Sequence, residues 1–447
     1  MSKHMSESVR VPIEQDNPSI ERIEEKCVKC GKCRDVCRDY IGVHSTYNLS
    51  DNFDTAICIN CGQCANVCPT SSIIEKYEYA KVQQAIDDAG KVVVVSTSPS
   101  VRVSLGEEFG YPAGSDVQGK MIGLLRTLGA DYVLDTNFGA DLTIMEEAEE
   151  FVKRFNKHDH LPQFTSCCPA WVKYVETYHH ELLPNLSTAK SPIGMQGATI
   201  KTYFANKMGI DPRKIVHVAL TPCTAKKMEV RRAGLGSAGE MLGIKGMRDT
   251  DYVITTRELA IWAKERNIDF DSVQDSNFDK YMGQSSGAGY IFANSGGVME
   301  AALRAAYQLI THKRPPEKLY DLTEVRGYDS VKAASLIIQG TTINVAVIYG
   351  TANAEKFLKN MNKGGVEYHF IEVMTCPGGC IGGGGQPISE NPDEVRKARQ
   401  ATVYKYDELS ELKTSRDNPE IKDVYSGFFD KPGSTTVQKL LHTTYCK

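Results

Sequence analysis

Eight of the fourteen cysteines in this 447-residue chain fall between Cys27 and Cys68. They form two copies of one spacing, CVKCGKCRDVC (Cys27 to Cys37) and CINCGQCANVCP (Cys58 to Pro69). What such a stretch folds around depends on its redox surroundings. The first residues, Met1 to Asp16, are polar and carry acids and a proline, without the continuous apolar core of a secretory signal, so a cytoplasmic location is expected. In a reducing compartment, thiols in this number point to metal ligation or redox chemistry and away from structural disulfides. The longest apolar runs, such as Val92 to Val95 and Val345 to Ile348, fall far short of the roughly 20 residues that cross a bilayer and are expected to be buried strands. A net charge of -4 with 41% hydrophobic residues gives no electrostatic case for nucleic acid or an anionic membrane.

The doubled run has the spacing of bacterial two-cluster ferredoxins and resembles them at both copies. Three cysteines two residues apart can grip three corners of one iron-sulfur cube from a tight loop, while the fourth, a helical turn behind, points to the neighbouring cube. On that pattern Cys27, Cys30, Cys33 and Cys68 hold one 4Fe-4S cluster, and Cys58, Cys61, Cys64 and Cys37 hold the other. Paired CxxC knuckles also bind zinc, but zinc takes four ligands and does not need two interleaved runs of four. Two cubes alone would make an electron carrier. Here they are joined to a much longer chain, and at this length one core gives way to two or three units.

The expected organisation is a mobile tail over residues 1–20, a cysteine-rich module over 21–85, and a main body over 86–447 whose last part, from about 390, wraps around it. From Lys91 onward strand-like runs alternate with amphipathic helical stretches: KVVVVSTSP, then Val117 to Leu128, DYVLDTN, and Thr143 to Phe155. KIVHVALTPC, the helical Arg257 to Arg266 and Gly297 to Ile310, and TTINVAVIYG repeat the logic. This alternation predicts α/β layers with parallel strands, α+β overall, and places chemistry in the loops beyond strand ends. Five of the remaining cysteines lie in three such segments, TSCCPAW (Thr165 to Trp171), TPCTAKKME (Thr221 to Glu229) and FIEVMTCPGGCIGGGGQP (Phe370 to Pro387). Read from the residues alone, they amount to a buried metal-sulfur site with one thiol to spare.

These three segments, in this order, resemble the signature motifs of FeFe hydrogenases, and the likeness runs from about Cys27 to the C-terminus. The resemblance implies a ferredoxin-like domain followed by a two-lobed mixed α/β domain that holds an H-cluster, a 4Fe-4S cubane linked to a diiron subsite with CO, CN and bridging dithiolate ligands. Cys168, Cys223, Cys376 and Cys380 would hold the cubane, with Cys380 bridging to the diiron unit. Maturation proteins would supply that unit. Lys226 matches a lysine that holds one cyanide, and an ammonium is a compact donor suited to an anionic ligand. Ser98, Pro99 and Ser100 match the loop near the other cyanide, and Met374 a methionine packed near the bridging carbonyl. Outside the motifs these would read as a surface lysine, a turn and a core methionine. The glycines around Cys380 allow backbone to approach a bulky cluster, and without a nucleotide fingerprint they are no phosphate cradle.

Cys167 is the spare thiol, turned from Cys168 by the alternation of an extended segment. The resemblance assigns it to proton delivery. On the predicted helix, Ile144, Ala148, Phe151 and Phe155 face a core while Glu147, Glu150 and Arg154 form a row at its flank. For an arbitrary helix, Glu150 and Arg154 would be a solvated pair. Glu147 and Ser187 stand at the family's spacing from Cys167, which favours a relay Cys167, Glu147, Ser187, Glu150, Arg154. Thr221, Ala170 and Pro377 depart from many relatives and resemble a less-studied, group B-like branch. The activity implied is the interconversion of protons plus electrons with molecular hydrogen, with a low-potential ferredoxin as electron carrier. Its rivals are a hydrogen sensor and a non-catalytic iron-sulfur homologue; His179, His180 and Cys446 have no companions at metal-binding spacing.

Overall fold

The computed structural model of the protein describes residues 10–43, 57–361, 363 and 365–445; Cys446 and the first part of the expected tail lie outside them. The cysteine-rich module is tied together by a two-stranded antiparallel sheet, β1 (Ile20–Arg22) with β2 (Ile73–Glu75). Residues 10–20, expected to be mobile, pack onto it. Val11 is buried, Asn17 Oδ1 accepts from the amides of Ser19 (3.0 Å) and Ile20 (3.1 Å), and Glu14 accepts from the Cys58 amide at 2.9 Å. An apolar side chain and two short polar anchors outweigh the polar composition on which the expectation rested.

The body has two four-stranded sheets. In the first, β3 (Val92–Thr97), β4 (Tyr132–Asp135), β6 (Ile215–Thr221) and β7 (Tyr252–Thr255) run parallel in the order β4-β3-β6-β7. Alternation sends Val93, Val95, Val218 and Leu220 to one face, against helices Gln118–Leu128 and Thr256–Glu265, and Val94 to the other. In the second, β5 (Gln163–Phe164), β10 (Phe370–Met374) and β9 (Thr341–Tyr349) are parallel, and β8 (Val331–Ile338) closes the edge as an antiparallel hairpin with β9. Gln339 and Gly340, both at positive φ, make its two-residue turn.

One helix belongs to both lobes. Thr136–Lys157 is capped by Asp135, whose carboxylate accepts from the Asn137 amide at 3.0 Å, and ends at His158 in the left-handed region. Its first half puts Phe138 and Leu142 into the core beneath the first sheet. Its second half puts Ile144, Ala148 and Phe151 into the core of the second. The C-terminal segment lies across this helix: Val437, Leu440 and Leu441 enter the first core, and His442 pairs with Ala189 as an isolated antiparallel bridge. Among the described residues no helix is long and apolar enough to cross a membrane.

Candidate active site

The eight N-terminal cysteines sort into two groups in space. Cys27, Cys30, Cys33 and Cys68 ring one small cavity, and Cys37, Cys58, Cys61 and Cys64 ring a second. In each run a glycine at positive φ, Gly31 or Gly62, turns the chain into a short helix that carries the third thiol. Cys30 in the outer cage is exposed, whereas Cys61 and Cys64 in the inner one are buried. Burial pushes the Cys61 thiol up to about 12, so only a bound cation would hold it as a thiolate at neutral pH.

The third cage sits where the carboxyl ends of parallel strands from both sheets meet. Ser98 to Ser100 follow β3, Cys223 follows β6, Cys167 and Cys168 follow β5, and Cys376 follows β10. Cys168, Cys223, Cys376 and Cys380 line a cavity of about 70 Å³ together with Cys167, Lys226, Met374, Ser98, Pro99 and Ser100. Thr136, Ile193 and Phe292 line it too, and none was singled out by the sequence. Thr136, at the carboxyl end of β4 beside the helix cap, could have been found from its place at a strand-to-helix junction; Phe292 carries no such signal.

Lys226 is fixed by two of its three ammonium protons, to the Cys167 carbonyl at 3.1 Å and to Glu229 at 2.7 Å. Burial works against its charge, but Glu229 and Cys223 more than restore it, so it stays a cation. Glu229, at the end of the second motif, is another residue the sequence did not single out. The Ser100 and Thr136 hydroxyls have no hydrogen-bond partner among the described residues. At Gly379, φ is +96° and an added Cβ would meet the Ser295 amide nitrogen at 2.5 Å. At Gly384, an added Cβ would meet the Cys61 carbonyl oxygen at 2.2 Å, so the third cage touches the inner cage through backbone. Gln63 Nε2 donates to the Gly382 carbonyl (2.9 Å) and Thr224 to that of Asn60 (2.8 Å) across the same seam.

Behind Cys167 the flank row of the long helix runs toward solvent. Glu147 is fully buried, and neither of its carboxyl oxygens has a hydrogen-bond partner among the described residues. Burial, and after it the charge of Glu150, raise its carboxyl to about 8 from an ordinary value near 4.5; the nearby Ser187 hydroxyl, which is committed to Glu150, and the Arg154 charge pull the other way. The strongest charge acting on the Cys167 thiol, itself pushed up by burial, is that of Glu147. The Ser187 hydroxyl donates to Glu150 at 2.8 Å, and Arg154 donates to the same carboxylate at 2.7 Å. Glu147, Glu150 and Arg154 thus line one flank of this helix, and Cys167 and Ser187 lie in loop segments against it. His179 meets Glu355 at 2.6 Å and Glu181 at 3.0 Å, an ion-pairing site away from all three cages.

Residues 91–384 match the family model for the iron only hydrogenase large subunit, C-terminal domain, residues 393–447 that for the iron hydrogenase small subunit, and residues 19–69 that for a 4Fe-4S dicluster domain. The chain is 43% identical to the NADP-reducing hydrogenase subunit HndD of Solidesulfovibrio fructosivorans, over 96% of this chain and 75% of that protein. It is 41% identical to iron hydrogenase 1 of Clostridium pasteurianum, over 97% of this chain and 77% of that protein. The chain belongs to the iron-only hydrogenase family. A solved apo variant of the FeFe-hydrogenase HydA1 from Chlamydomonas reinhardtii superposes on this hydrogenase with a TM-score of 0.71 at 38% identity, covering 82% of this chain and 98% of that one.

As an iron-only hydrogenase the protein interconverts protons plus electrons with molecular hydrogen and exchanges electrons with a carrier. Its cofactors are two 4Fe-4S clusters and an H-cluster. The residues present fit these groups. Two cavities each carry four thiols, and the third carries five, Cys167 beside Cys168, Cys223, Cys376 and Cys380. The third also offers one free ammonium proton on Lys226, an unpaired hydroxyl on Ser100, and glycine backbone where a side chain would collide.

Proposed function

We propose that this hydrogenase moves protons between solvent and its third thiol cage along Cys167, Glu147, Ser187 and Glu150, with Arg154 holding the Glu150 carboxylate in place. Electrons enter from a low-potential ferredoxin or similar carrier at the outer cage of Cys27, Cys30, Cys33 and Cys68. The inner cage of Cys58, Cys61, Cys64 and Cys37 lies between that entrance and Cys168, Cys223, Cys376 and Cys380. When bound, the H-cluster supplies the redox chemistry by which two protons and two electrons become hydrogen. Lys226 presents its remaining N–H to an anionic ligand, Ser98, Pro99 and Ser100 present backbone and hydroxyls, and Met374 packs a polarizable thioether against the cavity. Maturation proteins install the diiron unit, and the cytoplasm, being reducing, keeps the twelve cage cysteines available as ligands.

The single observation that carries the proton route is Glu147. A carboxyl with no partner, buried between the Cys167 thiol and the Ser187–Glu150 pair and titrating at about 8, can take up and release a proton at neutral pH. A structural carboxylate would be fully hydrogen-bonded instead.

The test is anaerobic hydrogen production from reduced methyl viologen by protein loaded with the diiron unit and checked by infrared for cyanide and carbonyl bands. Bands with turnover are expected. Bands with very slow turnover would favour a sensor, and no bands after verified loading a non-catalytic homologue. Cys167→Ala should lose most turnover while keeping the bands; near-normal turnover would remove the relay.

A further inference from the structure

Glu150 needs a partner able to give it a proton, and Arg154 is not one. A guanidinium stays protonated at any physiological pH. Its bonds to Glu150 (2.7 Å) and to the Leu186 carbonyl (2.9 Å) therefore hold the carboxylate in place without exchanging protons with it. On its other face Glu150 accepts from the Thr188 amide at 3.0 Å and from the Thr188 hydroxyl at 3.1 Å. That hydroxyl oxygen also lies 2.7 Å from Nδ1 of His442, and Nε2 of the same ring lies 3.1 Å from Glu146. The Tyr425 hydroxyl donates to the other oxygen of Glu146, and the Gly433 amide donates to the shared one at 2.9 Å.

The polarity of this chain is fixed by counting protons. Glu146 accepts on both oxygens, so it is a carboxylate and Nε2 carries hydrogen toward it. With Nδ1 bare, the single proton of Thr188 points to His442, and Glu150 receives nothing from the hydroxyl. With Nδ1 protonated, the ring donates to the Thr188 oxygen and the hydroxyl turns to Glu150. A proton then passes as the Nδ1–H bond breaks and a Thr188 O–H bond forms, while the original Thr188 O–H breaks and Glu150 gains an O–H. Imidazolium plus carboxylate become imidazole plus carboxylic acid, with no other reactant.

Solvent reaches this point. His442 borders a surface cleft of about 250 Å³, where Glu146, Glu149, Glu150 and Asp159 face Lys153, Arg154 and Lys157. Lys153 is paired with Glu149 at 3.2 Å and Arg154 with Glu150 at 2.7 Å, which leaves Glu146, bonded to the ring, without another basic partner in the cleft among the described residues. Backbone bonds hold the segment independently of the ring: the Lys190 amide donates to the Leu441 carbonyl (2.9 Å) and the Thr443 amide to that of Thr188 (2.8 Å).

We propose that His442, on the C-terminal segment, loads protons onto Glu150 through the Thr188 hydroxyl. The inference rests on Glu150 being the outer member of the relay. In the loaded full-length enzyme, His442→Ala should lower hydrogen evolution about tenfold at neutral pH and remove the near-neutral limb of the pH profile. Added imidazole, which the cleft admits, should restore part of the rate. His442→Gln keeps an N–H for Glu146 without titrating and should fall as far, and Thr188→Val should fall without imidazole rescue. A readout independent of turnover is the protonated-carboxyl infrared band that Glu150→Gln removes; its pH midpoint should move in His442→Ala.

Rates within twofold of the parent with an unchanged profile, a loss repaired by Gln, or an unmoved band would each overturn the proposal, the second by making His442 a strut. The relay itself is tested apart: if Cys167→Ala is inactive while His442→Ala is normal, only the loading step fails. If Cys167→Ala is active, the relay fails first.

Discussion

Between the inner thiol cage and the third, the contacts end on backbone carbonyls; between Cys167 and the surface they run from side chain to side chain. On the electron side Gly384 lies against the Cys61 carbonyl, and Gln63 and Thr224 donate to carbonyls across the seam. None of those groups titrates. On the proton side a buried, unpartnered Glu147 is followed by Ser187, Glu150 and Thr188, each hydrogen-bonded to its neighbour by groups that can exchange a proton. Electron passage asks only for closeness, which glycine provides. Proton passage asks for groups that change protonation, and burying such a group costs free energy that a close-packed apolar core would not.

The largest expected effect on this contrast comes from Glu147→Gln, which keeps shape and removes the titrating proton. Hydrogen evolution should fall by about 10³, while paramagnetic resonance of the clusters in the reduced protein stays as in the parent. A change in those spectra would mean that the two sides are not separate.

Gly384→Ala tests the other side. Its Cβ would sit 2.2 Å from the Cys61 oxygen, so one of the two backbones must shift, at about 1–3 kcal/mol. Evolution driven by reduced ferredoxin should drop about tenfold, with the pH profile unchanged. A smaller loss, a few-fold, is expected for Arg154→Lys, which keeps the charge but loses the planar donor that grips Glu150 and the Leu186 carbonyl together.

A separate effect is on stability. Glu147 is raised from about 4.5 to about 8 on folding, so the folded state holds that proton more tightly. Its favourable contribution is complete below about pH 4.5 and is lost as pH rises through about 8. Glu147→Gln should therefore gain in melting temperature over the parent as pH rises, and the two should run parallel at acid pH. Thermal melts of the cofactor-free chain at a series of pH values would check this.

How much of this was legible in the sequence differs between the same two sides. The thiol cages are written in local spacing, because ligands two residues apart must face one cavity whatever surrounds them. Strands β3, β6, β9 and β10 announce themselves as apolar runs. The helix expected over Thr143 to Phe155 begins earlier, at Thr136, because Asp135 caps it and the first sheet buries Phe138 and Leu142, neither of which helical periodicity from Thr143 could register. The pairing of β10 with both β5 and β9 is a long-range choice with no local trace. So is the meeting of Thr188 with His442, far apart in the chain and joined only when the last helix docks. Glu147 could be placed on a flank by period, but its complete burial depends on the second lobe.

The seam at Gly384 has one more consequence. Redox proteins often carry a cofactor domain on a hinge that swings between donor and acceptor, and their turnover then follows the friction of the medium. Here Gly62 rests on the Thr224 side chain, and Arg257 grips the Gly384 carbonyl at 2.6 Å while also bonding Asn66 (2.7 Å) and Glu75 in the module. The module is soldered to the catalytic body, so the delivery of electrons should be indifferent to solvent viscosity once the carrier has bound.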